Sequence, residues 1–417
     1  MTLVKTSALN AIAVVVRILT AIGLNKVLAL YVGPAGYALV GQFANALTIA
    51  GSMAGGAVGN GITKYTAEYD GSREKQRLIW RTATKYLFAS VSLTALFALL
   101  FSRQLALWLL GDSAYQPVFL CCALGLPLLA FNALLLAIMN GNKEVRALVA
   151  QSIASSLVSG MATAALAMSF GIAGALYGLV VGPAVGLLFT LCLCRRATWF
   201  TLDSFIGPAS AAQARQLAGY AAMALTSAIV APLGQLTVRD HLIDRFGQIA
   251  AGEWQAVFKM SEIYLQLFTA TLGIYFLPRL SEIRDPRLLW LEITKVCRFM
   301  LPLALLAALA LYWLREWVTV TVFTERFLGM VDLFRWQLVG DVLKLGGWIF
   351  GYVMVGRAMV GWFMATEIVF TLSWVVLALA LTRVLGREGA TAAFAINYGC
   401  YWLFMVALIR REMAGMR

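Results

Sequence analysis

Charge is scarce in this chain and histidine is nearly absent: 13% of the 417 residues are Asp, Glu, Lys or Arg, and His241 is the one histidine. Catalytic signatures are missing as well. There is no Gly-x-x-x-x-Gly-Lys-Ser/Thr phosphate loop, no His-Glu-x-x-His, no Gly-x-Ser-x-Gly elbow, and no polar stretch long enough for an ATPase domain. These absences argue against an ATP-driven pump in one chain, a zinc hydrolase or a serine hydrolase. The six cysteines, among them Cys121-Cys122 and Cys192/Cys194, fall mostly inside apolar runs without metal-site or disulfide spacing. They are read as small core residues, and no metal or cofactor is expected. His241, beside Asp240, Asp244 and Arg245, is read as a solvated loop residue rather than a proton switch.

What the chain has in excess is apolar sequence. At 61% hydrophobic residues and a mean hydropathy of +0.81 it lies outside soluble globular composition. Long continuous runs predict an all-α integral membrane protein, where a β-barrel would show short alternating strands. Hydropathy and breakers place about twelve spans near 8–31, 37–62, 82–101, 116–140, 148–169, 175–194, 217–239, 252–276, 299–314, 334–356, 362–382 and 392–409. The first run has full span length and no small-residue cleavage site, so it is expected to remain as a helix rather than be removed as a signal peptide. With the N-terminus inside, about 20 Lys and Arg are cytoplasmic, about 6 periplasmic and about 7 within spans, which orients the chain with both termini cytoplasmic. The net charge of +13 then follows from topology. Its basic loops are too short and too close to spans for nucleic-acid binding.

The chain also reads as duplicated. Arg77-Leu78-Ile79-Trp80 returns as Arg287-Leu288-Leu289-Trp290, each followed at the same distance by Thr-Lys (Thr84-Lys85, Thr294-Lys295). Gly61-Ile62 and Glu68 have counterparts in Gly273-Ile274 and Glu282. The expected organisation is a six-helix lobe over 1–194, a cytoplasmic linker over 195–216 and a second six-helix lobe over 217–417, around a central cavity.

Within the run from Phe334 to Tyr352 an acid and a base stand near bilayer depth, where a charge costs at least ~2.5 kcal/mol and usually marks a pathway. Gln337, Asp341, Lys344 and Trp348 follow i, i+4, i+7, i+11 and share one stripe of a helix. Gln255, Lys259, Glu262 and Gln266 repeat that spacing. Val339 and Gly346 are expected on the lipid-facing side. In the first half the candidates are Arg17, Lys26, Gln42, Asn45 and Lys64, with Asn60 nearby, and Glu367 joins from the eleventh span. Arg17 and Lys26, nine residues apart, face opposite ways on a straight helix; Lys26 can snorkel to the surface instead. The i, i+3 pairs Lys259/Glu262 and Asp341/Lys344 are read as lining a cavity, against the alternative that each pair neutralises itself.

Several segments resemble the Wzx-type polysaccharide flippases, most closely their enterobacterial lipid III branch: Trp336 to Lys344 with Phe350-Gly351-Tyr352, Tyr264-Leu265-Gln266, Thr269-Ala270, Leu277-Pro278, Leu280-Ser281, Gly33-Pro34-Ala35-Gly36 and Thr63-Lys64-Tyr65. The resemblance weakens over spans 3 to 6. It implies the multidrug/oligosaccharidyl-lipid/polysaccharide exporter superfamily, with a MATE-like alternating-access fold in the bacterial inner membrane. It also implies transfer of an undecaprenyl-pyrophosphate-linked oligosaccharide between leaflets, with the polymerase and chain-length proteins of the same glycan pathway as partners. The glycan nearest the resemblance is the enterobacterial common antigen unit, lipid III. The alternatives are an O-antigen or exopolysaccharide unit, or cation-coupled drug antiport. Under this reading Arg17, Lys259 and Lys344 contact pyrophosphate or an acidic sugar, and Asp341, Glu262, Gln255, Gln266 and Gln337 hydrogen-bond sugar or balance charge.

Overall fold

Backbone groups inside a bilayer have no water to bond, so an apolar chain must close its hydrogen bonds internally. This chain does so almost entirely as helices. The computed structural model describes residues 3–55, 58–276, 279–280, 283, 285–357 and 359–414; Leu277, Pro278, Ser281 and Glu282, singled out above, lie outside the described residues. In order the helices are α1 (Leu3–Tyr31), α2 (Gly33–Met53), α3 (Gly59–Glu68), α4 (Arg73–Leu100), α5 (Ser102–Leu110), α6 (Gln116–Gly141), α7 (Val145–Cys194), α8 (Ala211–Thr271), α9 (Pro286–Trp313), α10 (Arg315–Val322), α11 (Phe334–Gly356), α12 (Val360–Leu385) and α13 (Glu388–Ala414). Among the described residues nine helices are long and apolar enough to cross a membrane.

Two of the nine are double. At about 1.5 Å per residue the 50 residues of α7 would reach about 75 Å, more than twice a bilayer core of about 30 Å. Each long helix is broken by a glycine with positive φ: Gly171 in α7 (φ 58°, ψ −133°) and Gly247 in α8 (φ 82°, ψ 169°). A left-handed backbone there costs a residue with a side chain, and glycine adopts it freely. In α7 the chain folds back on itself along a glycine every fourth position. A Cβ on Gly178, Gly182 or Gly186 would meet Thr163, Ser159 or Ser155 at 2.5–2.6 Å, so the two arms touch almost backbone to backbone. With α2, which carries the second expected span, the two broken helices account for the twelve expected crossings.

The duplication has a structural counterpart. Gly33 (φ 70°) and Gly247 (φ 82°), like Gly171 (φ 58°) and Gly386 (φ 60°), turn the chain at points roughly 214 residues apart. Helices α4 and α9 both have 28 residues, each followed by a short helix, α5 with 9 and α10 with 8. In the repeated motif Thr84 Oγ1 donates to the Trp80 carbonyl at 2.8 Å, and Thr294 Oγ1 to the Trp290 carbonyl at 2.8 Å.

By internal packing the chain forms two compact units: 1–32 with 39–232, and 33–38 with 233–417. The boundary falls at Pro232 inside α8, where the missing amide hydrogen weakens the helix. In the first unit α6 and α7 form the centre, against α1, α3 and α4. Residues 195–210 belong to this unit and are docked on it. Trp199 is buried, packs edge-on against Trp80 and donates Nε1–H to Glu144 at 2.6 Å, while Arg81 donates to the Asp203 carbonyl. In the second unit α11 is central, flanked by α13, α9 and α12. Of the cysteines only Cys122 and Cys194 are buried; Cys192 and Cys400 are exposed, so the core reading holds for part of the set.

Candidate functional site

The site forms on α11 because that helix carries glycines where α13 crosses it. A Cβ on Gly340 would lie 2.4 Å from a Phe394 ring carbon, one on Gly347 2.4 Å from Tyr401, and one on Gly346 2.6 Å from Trp402. The glycines let the aromatic residues of α13 approach the α11 backbone closely. Gly346 is therefore packed inside the unit, correcting its expected lipid-facing place, whereas Val339 is 47% exposed as expected.

This close crossing assembles a ring of aromatics around Lys344. Its Nζ lies 4.7 Å from the centroid of Trp348, one helical turn along α11, 5.2 Å from Phe394 and from Tyr398 on α13, and 5.5 Å from Phe258 on α8. Ring faces attract an ammonium through their quadrupoles, by up to about 2 kcal/mol where water is thin. Among the described residues no carboxylate oxygen comes within 4 Å of this ammonium. The charges of Asp341, Glu262 and Glu367 still act on it from farther away.

Asp341 is fully buried and takes neutral partners instead. Tyr264 Oη donates to its Oδ2 at 2.8 Å and Gln337 Nε2 to its Oδ1 at 3.1 Å. The expected stripe is real, since Gln337 touches Asp341 and Lys344 touches Trp348. The supposed Asp341/Lys344 pair is not a contact, because α8 and α13 each supply a better-placed partner. The companion pair on α8 does close: Lys259 Nζ lies 2.9 Å from Glu262 Oε2, with both side chains a little over 40% exposed. So exposed a pair adds at most about 1 kcal/mol.

Gln255, at the head of the α8 stripe, is buried and accepts a hydrogen bond from Arg239, a fully buried arginine that also lies 5.7 Å from the Trp254 ring. The Glu262 charge reaches both Arg239 and Lys344. Gln266 is half-buried a turn beyond Glu262. The stripe residues of α8 and α11 thus share one unit.

The first-half candidates belong to the first unit. Arg17 is exposed and donates to Ser152 Oγ at 3.2 Å, tying α1 to α7. Lys26 and Asn45 are half-buried and Gln42 is buried, and all three have partners. Lys64 is exposed over the Tyr65 ring at 5.0 Å.

Sequence reasoning missed Phe258, Tyr264, Phe394, Tyr398 and Arg239 as site residues. A signal existed: Phe394, Tyr398 and Tyr401 follow i, i+4, i+7 and mark one aromatic face of α13. His241 is also corrected, since α8 continues past it to Gly247 and its Nε2 lies 2.8 Å from Thr382 Oγ1.

The chemistry of the cluster is that of a polar recognition site inside a membrane lobe: three cations (Arg239, Lys259, Lys344), three acids (Glu262, Asp341, Glu367), amides, and broad ring faces suited to sugar. Comparison with known proteins agrees with that character. A family model described as polysaccharide biosynthesis protein matches residues 3–284. The lipid III flippases of Escherichia coli (strain K12) and Shigella flexneri are each 30% identical over 403 residues, covering 96% of this chain and 97% of the relative. Among solved structures, the inward-facing conformation of a multidrug resistance MATE family transporter of the MOP superfamily superposes with a TM-score of 0.79 at 14% identity, covering 97% of this chain and 98% of that one. A MOP superfamily transporter from Pyrococcus furiosus Vc1 (DSM3638) gives 0.70 at 15% identity, covering 100% and 97%. The fold is that of MATE transporters.

Proposed function

The chain belongs to the polysaccharide biosynthesis protein family, and on that premise we propose that it is a flippase for a polyprenyl-pyrophosphate-linked oligosaccharide, moving it from the cytoplasmic to the periplasmic leaflet of the bacterial inner membrane. It is a transporter rather than an enzyme. Relatives named lipid III flippase, similar over nearly their whole length, support lipid III, the enterobacterial common antigen unit, as the cargo. The cargo needs a carrier because its pyrophosphate and hydroxyls would enter hydrocarbon unsatisfied. In this reading both termini are cytoplasmic, 1–194 and 217–417 act as duplicated lobes joined through 195–216, and the polymerase and chain-length proteins of the pathway take over the product.

The observation that carries the reading is Lys344, an ammonium within a membrane lobe that has ring faces around it and, among the described residues, no carboxylate oxygen within 4 Å. It offers N–H donors to a phosphate or an acidic sugar, and the rings offer surface to a sugar face. The test is reconstitution in proteoliposomes with labelled undecaprenyl-pyrophosphate oligosaccharide, following leaflet exchange. Exchange should rise above protein-free vesicles and fall in Lys344→Ala. No acceleration with any lipid-linked oligosaccharide refutes the reading.

A further inference from the structure

Four rings around an ammonium make a known kind of binding box. Phe258, Trp348, Phe394 and Tyr398 come from three helices and stand 4.7–5.5 Å from one point. Boxes of this type recognise quaternary ammonium groups. The acids add to the match, because Asp341, Glu262 and Glu367, whose fields act on Lys344, would act on any cation held at the same point. The site therefore has the features of an organic-cation receptor, and the position such a cation would take is filled by the chain's own side chain.

We infer that Lys344 is a built-in occupant that denies this box to organic cations and turns a cation-selective site into one that selects an anion. A tethered ammonium gives up no translational freedom on entering the box, so it out-competes a free one. A second cation would meet both its bulk and its charge at contact distance. The same ammonium keeps its donors for a phosphate, so one residue repels the wrong class of ligand and attracts the right one. For the anion this rests on the flippase reading. For the cation it does not, because the test uses no cargo.

The test is equilibrium dialysis of the purified full chain in detergent with labelled choline, at constant ionic strength, against its neutral analogue 3,3-dimethylbutan-1-ol. The trimethylammonium head has as many heavy atoms as Lys344→Ala removes. Lys344→Ala and, as a second variant, Lys344→Ser should bind choline saturably and about tenfold tighter than the alcohol. The unsubstituted chain and Lys344→Met, which keeps the box filled without charge, should show no saturable binding. Adding Tyr398→Leu to Lys344→Ala should weaken choline binding. The inference is overturned if folded Lys344→Ala and Lys344→Ser bind no choline, if they bind the neutral alcohol equally, or if the unsubstituted chain binds choline as well. It is also overturned if neither variant folds, because an occupant should be replaceable. Loss of flipping with no gain of choline binding would leave the flippase reading standing and remove this one.

Discussion

Asp341→Asn separates the charge of this residue from its place in the hydrogen-bond network. Gln337 uses its Nε2 on Asp341, and its Oε1 is buried without a partner among the described residues. A carboxamide at 341 keeps one acceptor toward Tyr264 and turns an NH2 group toward Gln337. The Gln337 amide then turns over and accepts with the oxygen that had no partner, the two amide orientations being nearly isosteric. The Gln337 Nε2 then takes the unpartnered place its Oε1 had, so the number of unpaired buried polar atoms is unchanged while a buried charge is removed, and stability should hold to within about 1 kcal/mol. Asp341→Leu instead strands the Tyr264 hydroxyl and the Gln337 amide at about 1–3 kcal/mol each, about 2–6 kcal/mol together. Tyr264→Phe takes one donor from a buried carboxylate and should cost about 1.5–3 kcal/mol. Thermal unfolding of the purified variants in detergent should place Asp341→Asn nearest the unsubstituted chain, then Tyr264→Phe, then Asp341→Leu. Flipping in Asp341→Asn should fall about tenfold or more, a loss of about 1.4 kcal/mol of barrier lowering. The double change Asp341→Leu with Lys344→Leu should not restore it, since the two side chains do not pair. An Asp341→Asn protein that melts as low as Asp341→Leu refutes the amide argument, and one that flips at the normal rate refutes a role for the charge.

Gly347→Ala puts a Cβ 2.4 Å from the Tyr401 ring and should cost about 1–3 kcal/mol by overpacking. Gly23→Ala in α1, with open space around the new carbon, should be neutral or gain up to about 1 kcal/mol; melting curves compare the two. In a background without the six native cysteines, single cysteines at 255, 266, 337 and 348 should react with an impermeant thiol reagent in a cargo-dependent way, and one at 339 should stay unlabelled. Equal labelling at 339 would remove the stripes from the transport path. Trp199→Ala breaks the contacts to Trp80 and Glu144 and should make 195–210 sensitive to protease added from the cytoplasmic side; cleavage from the periplasmic side alone would reverse the proposed orientation.

Hydropathy, breakers and period are local properties, and from them the chain by itself determined the membrane class, the helices, their approximate ends, the duplication and the polar stripes on α8 and α11. A helix shows along its own sequence which residues share a face, because 3.6 residues per turn is a constant of the backbone. It does not show what that face meets. Asp341 and Lys344 have the same i, i+3 spacing as Lys259 and Glu262, yet only the latter pair closes. The difference comes from α8 and α13, whose tyrosine and aromatic rings reach α11 because glycines at 340, 346 and 347 let the helices approach. For the same reason the position of Gly346, the burial of Arg239 and the turn at Gly247 were not legible in the sequence. They depend on residues far apart along the chain, and only the packed structure sets which of them become neighbours.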